Sequence, residues 1–395
     1  MKISHRAGQI PASMTLEISA KAKQMKAEGI SVIGFTAGEP DFTTPEFIRN
    51  SAKEALDKGF TRYTPSSGMP ELKKAICEKF KRDNDLEYSP KNIIISTGAK
   101  ASLYHALFAV VDEGDEVIIP CPCWLTYNEQ VKLCGGKSVF LQTTKETNYK
   151  ITAKSLEDAI TSKTACLILN SPSNPTGVVY SKEELEAIAE VIVKHNIYVI
   201  SDEIYEKLVY DGAKHVSIAS LGEEIKKLTI VINGVSKAYA MTGWRIGYLA
   251  CDEEIARVIN NVQSHTTSNA NSIAQYASVE ALNKGDEFIS EMTAIFQDRK
   301  DFITAQLDEH GLEYINPQGA FYVFVNIEKY LGKHHNGIKI LTSVEFAKQL
   351  LNAGVAVIPG LPFENDNFIR LSYAINKDEI KLGIERIANF IKKLK

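Results

Sequence analysis

Between about residue 45 and residue 290 the chain alternates short runs rich in Ile, Val and Leu with longer amphipathic stretches, and that alternation leaves few folds open. Seven runs read as strands: Asn92 to Ser96, Glu116 to Ile119, Lys137 to Leu141, Cys166 to Asn170, Ile197 to Ser201, Thr229 to Ile232 and Ile246 to Ala250. Their apolar residues are nearly continuous, as in strands covered on both faces, which predicts a doubly wound, mostly parallel α/β sheet. The stretches between them carry helix starts. Thr44-Pro45 places proline at a first helical turn, and Ser181-Lys182-Glu183-Glu184 is a capping box ahead of a helical apolar period.

Past residue 290 the pattern changes. Helical stretches are expected around Phe321 to Val325 and Val355 to Ile358, with a final amphipathic helix from Lys377 onward, and together they predict a second, smaller domain. A chain of 395 residues is too long for one simple core, which agrees with a large domain plus a smaller one.

Charge and cysteine content narrow the partners. The 45 basic and 49 acidic residues are interspersed, with a net charge of -4, so neither a nucleic-acid face nor a membrane face is indicated and the substrate is expected to be small. The six cysteines lack the dense, even spacing of a secreted disulfide scaffold and read as reduced core residues. Cys121-Pro122-Cys123 has no matching His or Cys pair, so no metal is predicted. Met1 to Pro11 is polar, and no window reaches the roughly 18 apolar residues of a membrane span, so a cytoplasmic location is expected.

Four places carry chemistry. Lys237, in Ser236-Lys237-Ala238-Tyr239-Ala240-Met241-Thr242-Gly243-Trp244-Arg245-Ile246-Gly247, follows an apolar strand and can serve as a covalent cofactor anchor. Asp202 stands at the carboxyl end of a buried strand, where open α/β sheets place their ligands, and a carboxylate there needs a partner. In Ser96-Thr97-Gly98-Ala99-Lys100-Ala101 a strand gives way to a helix through glycine, so the amides of Ala99 and Lys100 form an anion site that Gly98 lets a ligand approach. Arg370 interrupts the apolar run Asn367-Phe368-Ile369-Arg370-Leu371-Ser372-Tyr373, and a guanidinium fork suits a carboxylate. Taken singly these residues have plainer readings. Lys237 would be a solvated charge, Asp202 a helix cap, Asn174-Pro175 a turn, and Tyr205 and Trp124 core aromatics.

Taken in order, Asn174-Pro175-Thr176-Gly177, Asp202-Glu203-Ile204-Tyr205, the Lys237 run and Arg370-Leu371-Ser372-Tyr373 resemble the class I pyridoxal-phosphate aminotransferases, over nearly the whole chain. The resemblance implies fold type I of the pyridoxal-phosphate enzymes, with a large cofactor-binding domain at 45–290 and a small α+β domain at 291–395 that the segment 1–44 joins. It implies that Lys237 anchors the cofactor and then shuttles a proton between the substrate Cα and the cofactor C4′. Asp202 would pair with the pyridine nitrogen, Tyr205 and Asn174 would hydrogen-bond the phenolic oxygen, and Trp124 would stack on the ring. Gly98, Ala99, Lys100, Ser236 and Arg245 would hold the phosphate, joined by Tyr63 reaching across from the other subunit of a homodimer with shared sites. The family often has Ser or Thr where this chain has Gly234, so one phosphate contact is expected to be missing.

The substrate follows from the same resemblance. Arg370 would clamp the α-carboxylate, with Gly38 contributing a backbone contact and Trp124 and Asn174 lining the same space. Some relatives read a distal carboxylate with an arginine in the stretch matching Gln263-Ser264-His265-Thr266-Thr267-Ser268-Asn269, which has none here. The chain is instead similar to a bacterial branch marked by Gly38-Glu39-Pro40-Asp41-Phe42, in which Lys100 attracts that carboxylate. This implies transfer of the amino group of L-aspartate to 2-oxoglutarate. A point-charge lysine is less selective than an arginine fork, so prephenate or aromatic amino acids stay open as substrates. A carbon-sulfur lyase acting at Cβ shares the same fold. An amine-sensing regulator would need a DNA-binding module, and the about 40 residues before the first glycine motif show no basic helix-turn-helix pattern.

Overall fold

The structure, a computed structural model, describes residues 2–8 and 10–395; Met1 and Gln9, within the polar stretch Met1 to Pro11, lie outside the described residues. After a short strand β1 (Ile33–Gly34), each of the seven apolar runs forms a strand: β2 (Ile93–Ser96), β3 (Glu116–Cys121), β4 (Lys137–Gln142), β5 (Thr164–Asn170), β6 (Tyr198–Asp202), β7 (Thr229–Gly234) and β8 (Gly247–Ala250). They make one seven-stranded sheet in the order β2-β8-β7-β6-β5-β3-β4. The strands β2, β7 and β8 are buried throughout, whereas β4, at the sheet edge, is only half-buried.

One strand departs from a parallel sheet. β8 runs antiparallel to both β2 and β7, while the pairs from β7 through β4 are parallel. A parallel return needs a crossover, usually an α-helix, and the connection 235–246 has no α-helix, just the 3-10 turn Thr242–Trp244. It holds Lys237 and Arg245 instead. Where β7 meets β8, Gly234 pairs with Gly247, and a Cβ on Gly247 would lie 2.1 Å from the amide nitrogen of Ala99. The strand pair and the start of the helix Ala99–Val110 therefore approach at van der Waals distance.

The helix starts are close to the expected ones. Ser181 Oγ accepts from the Glu184 amide at 3.3 Å while Glu184 Oε2 accepts from the Ser181 amide at 2.7 Å, closing the capping box of Lys182–His195. The other helix runs from Glu46 to Asp57, directly after Pro45, and the Thr44 hydroxyl donates to the Ala240 carbonyl at 2.6 Å.

The stretches expected to be helical around Phe321 to Val325 and Val355 to Ile358 are strands. The later part of the chain contains β9 (Tyr314–Ile315), β10 (Tyr322–Asn326), the small hairpin β11 (His334–His335) and β12 (Ile338–Lys339), then β13 (Val355–Ala356), β14 (Ile358–Pro359) and β15 (Phe368–Ser372). An antiparallel sheet of order β14-β15-β10-β9 forms from them. The runs are rich in Val, Phe and Tyr and too short to complete the turns that make a helix worthwhile, so cross-strand packing decides. The helices here are Asp286–Glu309, Ser343–Asn352 and the expected terminal one, Lys377–Ile391. β1 pairs parallel with β13, and the Ser372 amide donates to the Phe35 carbonyl at 2.9 Å, so the segment after β1 lies beside β15. Among the described residues no helix is long and apolar enough to cross a membrane, and Cys121, Cys123, Cys166 and Cys251 are buried thiols outside any disulfide.

Candidate active site

At the carboxyl ends of β5, β6 and β7 opens a cavity of about 310 Å³, lined among others by Gly38, Ala99, Lys100, Trp124, Asn174, Asp202, Tyr205, Ser236, Lys237, Arg245 and Arg370. Segments from both chain ends and the middle thus meet at the place where an open α/β sheet leaves a crevice. Of the site residues expected from sequence, Gly98 and Tyr63 do not line it. Gly98 stands directly behind Arg245, and Tyr63 is 92% exposed on the surface.

Lys237 enters from the connection after β7, and its amine donates to the Gly38 carbonyl at 2.5 Å. Burial lowers its proton affinity, the Glu39 carboxylate pulls it back up, and the charges of Arg370 and Arg245 push it down, leaving a pKa of about 8. A fraction of this amine is therefore neutral near pH 7, which nucleophilic attack on a carbonyl requires.

Asp202 is the last residue of β6 and is buried. Its Oδ2 accepts from the Tyr127 hydroxyl at 2.7 Å and its Oδ1 from the Ile204 amide at 3.3 Å. Burial raises its pKa to about 6, although the Tyr127 hydrogen bond favours the ionised form. The neighbouring Glu203 is engaged elsewhere, accepting from Ser201 and Ser217 and meeting His215 at 3.0 Å. Asp202 makes no ion pair with any described residue, so a cationic ligand group would find a carboxylate already desolvated and aimed.

Arg370 lies in the middle of β15, opposite Phe324 on one side and Ile358 on the other, and is only 3% exposed. Its Nη1 donates to Asn174 Oδ1 at 3.0 Å and its Nη2 to the Thr36 carbonyl at 3.4 Å; its Nε has no partner. No described carboxylate pairs with it, and a buried guanidinium without a counter-ion is an anion receptor. Asn174 spends its carbonyl on Arg370 and keeps its NH2 group for another acceptor. Tyr205 is hydrogen-bonded through its hydroxyl to the Tyr322 hydroxyl at 3.0 Å.

The second anion receptor lies at the start of the helix Ala99–Val110. Gly98 takes φ +83°, a left-handed conformation open to glycine, and a Cβ there would strike the Arg245 guanidinium at 2.3 Å. Arg245 is itself left-handed and donates to the Thr242 carbonyl at 2.8 Å. The first helical amides have no intrahelical acceptor, and Ser236 faces the same cavity. Lys100 sets its ammonium 4.7 Å from the centre of the Trp124 ring; burial and then the Arg245 charge lower its proton affinity. At Gly234 a Cβ would press on Gly247 Cα and the Ile246 carbonyl at 3.0 Å, so the absent hydroxyl side chain has little space here.

Several lining residues were not picked out from sequence. Tyr127 stands three residues after Trp124, and nothing local says which aromatic reaches Asp202. Ser13, Thr15, Leu16 and Ser19 belong to the helix Met14–Ala27 or its cap and reach the cavity only through the chain-end packing. Tyr322 had no local signal either, because its place two residues from the register partner of Arg370 is set by the pairing of β10 with β15.

A family model described as aminotransferase class I and II matches residues 30–387. An aspartate aminotransferase of Bacillus sp. (strain YM-2) is 50% identical over 392 residues, 99% of each chain. The Bacillus subtilis (strain 168) aspartate aminotransferase is 49% identical over 395 residues, covering both chains fully at 100%. The crystal structure of the aspartate aminotransferase from Rhizobium meliloti superposes with a TM-score of 0.96 at 44% identity, covering 100% of each chain.

Proposed function

This chain belongs to the class I and II aminotransferase family, and from that membership we propose that it is a cytoplasmic, homodimeric aspartate:2-oxoglutarate aminotransferase that works with pyridoxal 5'-phosphate. When bound, that cofactor supplies an aldehyde that links reversibly to amines and a pyridine ring that draws electron density from the substrate Cα.

The residues present suit it. Asp202, desolvated and without a cation, fits a protonated pyridine nitrogen and would keep it protonated. The helix start at Ala99 and Lys100, with Gly98 behind it and Arg245 and Ser236 beside it, fits the phosphate. Tyr205 and the free NH2 group of Asn174 fit the phenolic oxygen, and Trp124 fits the ring face. Tyr63, exposed on its own chain, suits a phosphate contact given to the partner subunit.

Lys237 would hold the aldehyde through its amine, give way to the amino substrate, and then carry the proton from Cα to C4′ as a general base and acid. Its depressed proton affinity suits both tasks near neutral pH. Arg370 would grip the substrate α-carboxylate in a bidentate fork, with the Gly38 backbone beside it, so that the Cα-H bond faces Lys237. Lys100, across the cavity, would attract the distal carboxylate and favour aspartate and glutamate with their oxo acids. The pairing of β1 with β13 supports a small domain in which the segment 1–44 joins 291–395 against a large domain at 45–290.

The observation that carries this reading is one cavity holding a partly neutral amine, a carboxylate without a cation and a guanidinium without an anion. Purified protein loaded with the cofactor is expected to absorb visible light and to change its spectrum on addition of L-aspartate, and Lys237→Ala is expected to lose turnover. A protein that stays colourless with the cofactor and indifferent to aspartate would refute it.

A further inference from the structure

We propose that Tyr322 is a positioning residue that ties the carboxylate-binding arginine to the cofactor-facing tyrosine, its ring carrying Arg370 and its hydroxyl bonding Tyr205. This inference rests on the aminotransferase reading above and concerns a residue that reading does not use.

Two contacts meet on this one side chain. The Arg370 guanidinium carbon stands 4.2 Å from the centre of the Tyr322 ring, with the Phe363 ring 5.2 Å away. Because Arg370 has no carboxylate partner and an unpaired Nε, ring faces and two carbonyl oxygens are all that orient its fork. Strand register explains the approach. Phe324 pairs with Arg370 across β10 and β15, and Tyr322, two residues earlier, is the diagonal neighbour on the same face.

The second contact is the hydroxyl pair. Tyr322 Oη lies 3.0 Å from Tyr205 Oη, with both side chains buried. A phenol has one proton to donate. If Tyr205 gives its proton to the cofactor's phenolic oxygen, the bond between the two tyrosines must be donated by Tyr322. That donation polarises the Tyr205 O-H and strengthens its hold on the phenolic oxygen. With the cofactor bound, drawing negative charge from its phenolic oxygen would make the Lys237 nitrogen easier to deprotonate, so the pair of tyrosines would set the pH at which the bound cofactor changes colour. The other charged groups around Tyr205 are Arg370, Asp202 and Lys237, whose Nζ stands 5.8 Å from the Tyr205 ring centre.

The two contacts can be separated. Tyr322→Phe keeps the ring under Arg370 and removes only the donated hydrogen bond; Tyr322→Leu removes both. In the cofactor-loaded enzyme, Tyr322→Phe is expected to raise the pH midpoint of the visible band by about half a unit to one unit. Its calorimetric dissociation constant for maleate, a dicarboxylate that cannot be turned over, and its KM for L-aspartate are expected to stay within about twofold of wild type. Tyr322→Leu is expected to weaken maleate about tenfold and to raise KM more than it lowers kcat.

A Tyr322→Phe midpoint equal to that of wild type overturns the proposal, as does a folded Tyr322→Leu that binds maleate like wild type. Should near-ultraviolet circular dichroism show Tyr322→Leu unfolded, the Tyr322→Phe midpoint decides alone. A wild-type protein with no visible band overturns the aminotransferase reading instead, which keeps the two failures apart.

Discussion

The Lys237 amine donates to the carbonyl oxygen of Gly38, 2.5 Å away and 199 residues earlier in the chain. That carbonyl sits in a segment fastened at several points. Glu39 accepts from the Thr242 hydroxyl at 2.6 Å, the Thr44 hydroxyl donates to the Ala240 carbonyl at 2.6 Å, and Asp41 accepts from Arg299 Nη1 and Nη2 at 2.6 and 2.8 Å. The lysine is thus held by one neutral acceptor on a fixed support.

Uptake of the aldehyde cofactor should follow the ionisation of that amine. Burial depresses Lys237 to about 8, and only the neutral amine attacks. The uptake rate of cofactor-free protein is expected to rise with pH through a midpoint near this value and then level off. Stopped-flow absorbance between acid and alkaline buffers measures it, and a flat profile would refute the assignment.

Asp202 should cost stability when no cation faces it. Its carboxyl is raised to about 6 in the fold, so it binds protons more tightly there than in the unfolded chain. The folded state therefore loses stability as pH rises from the ordinary carboxyl range through about 6. Asp202→Asn removes that penalty while still accepting from Tyr127. The cofactor-free variant is expected to be more stable than wild type at pH 7.5, by on the order of 1–3 kcal/mol in urea titration, and nearly inactive when loaded.

The Arg299 to Asp41 fork should matter for substrate binding although neither residue lines the cavity. The guanidinium also lies 5.6 Å from the ring centres of both Phe42 and Phe296, so it packs as well as pairs. Arg299→Gln is expected to lower stability by about 1–2 kcal/mol and to raise KM for aspartate several-fold, with kcat less affected. Arg299→Lys should recover only part of this, because one ammonium cannot span both oxygens. Chemical denaturation and steady-state kinetics check the pair of outcomes.

Lys79 and Glu206 form a buried ion pair just beyond the Asp202 loop, with Asn84 bonded to both. Burial alone would raise the Glu206 pKa, but Lys79, His215 and Lys207 together bring it down to about 2. The ionised carboxylate therefore contributes stability that is fully present above its unfolded value of 4.5 and lost as pH falls toward about 2. Lys79→Met, which strands the carboxylate, is expected to cost about 3–5 kcal/mol at neutral pH and to flatten this acid dependence. Denaturant midpoints at several pH values measure both effects.

The seven strands and the capping box could be read from sequence because each is encoded in contiguous residues: a buried run of Ile and Val, or Ser181 with Glu184. The placement of Gly98, Asp202 and Lys237 at or just past a strand end was legible for the same reason, because each strand is defined by its own contiguous residues. The residues around Phe321 and Val355 were misread because a run of that length spans little more than one helical turn, too few residues for apolar spacing to separate helix from strand. Its state depends on which strand lies beside it.

The amino-acid order alone specified the seven strands, the places of Asp202 and Lys237 at or just past their ends, and that of Arg370 within an apolar run. Tertiary structure alone brought Gly38 to Lys237 and Tyr322 to Arg370, left Tyr63 outside the cavity of its own chain, and turned the direction of β8. It also set the proton affinities of Lys237 and Asp202, since a pKa is moved by the desolvation and charges around a group, and those come from parts of the chain far away in sequence.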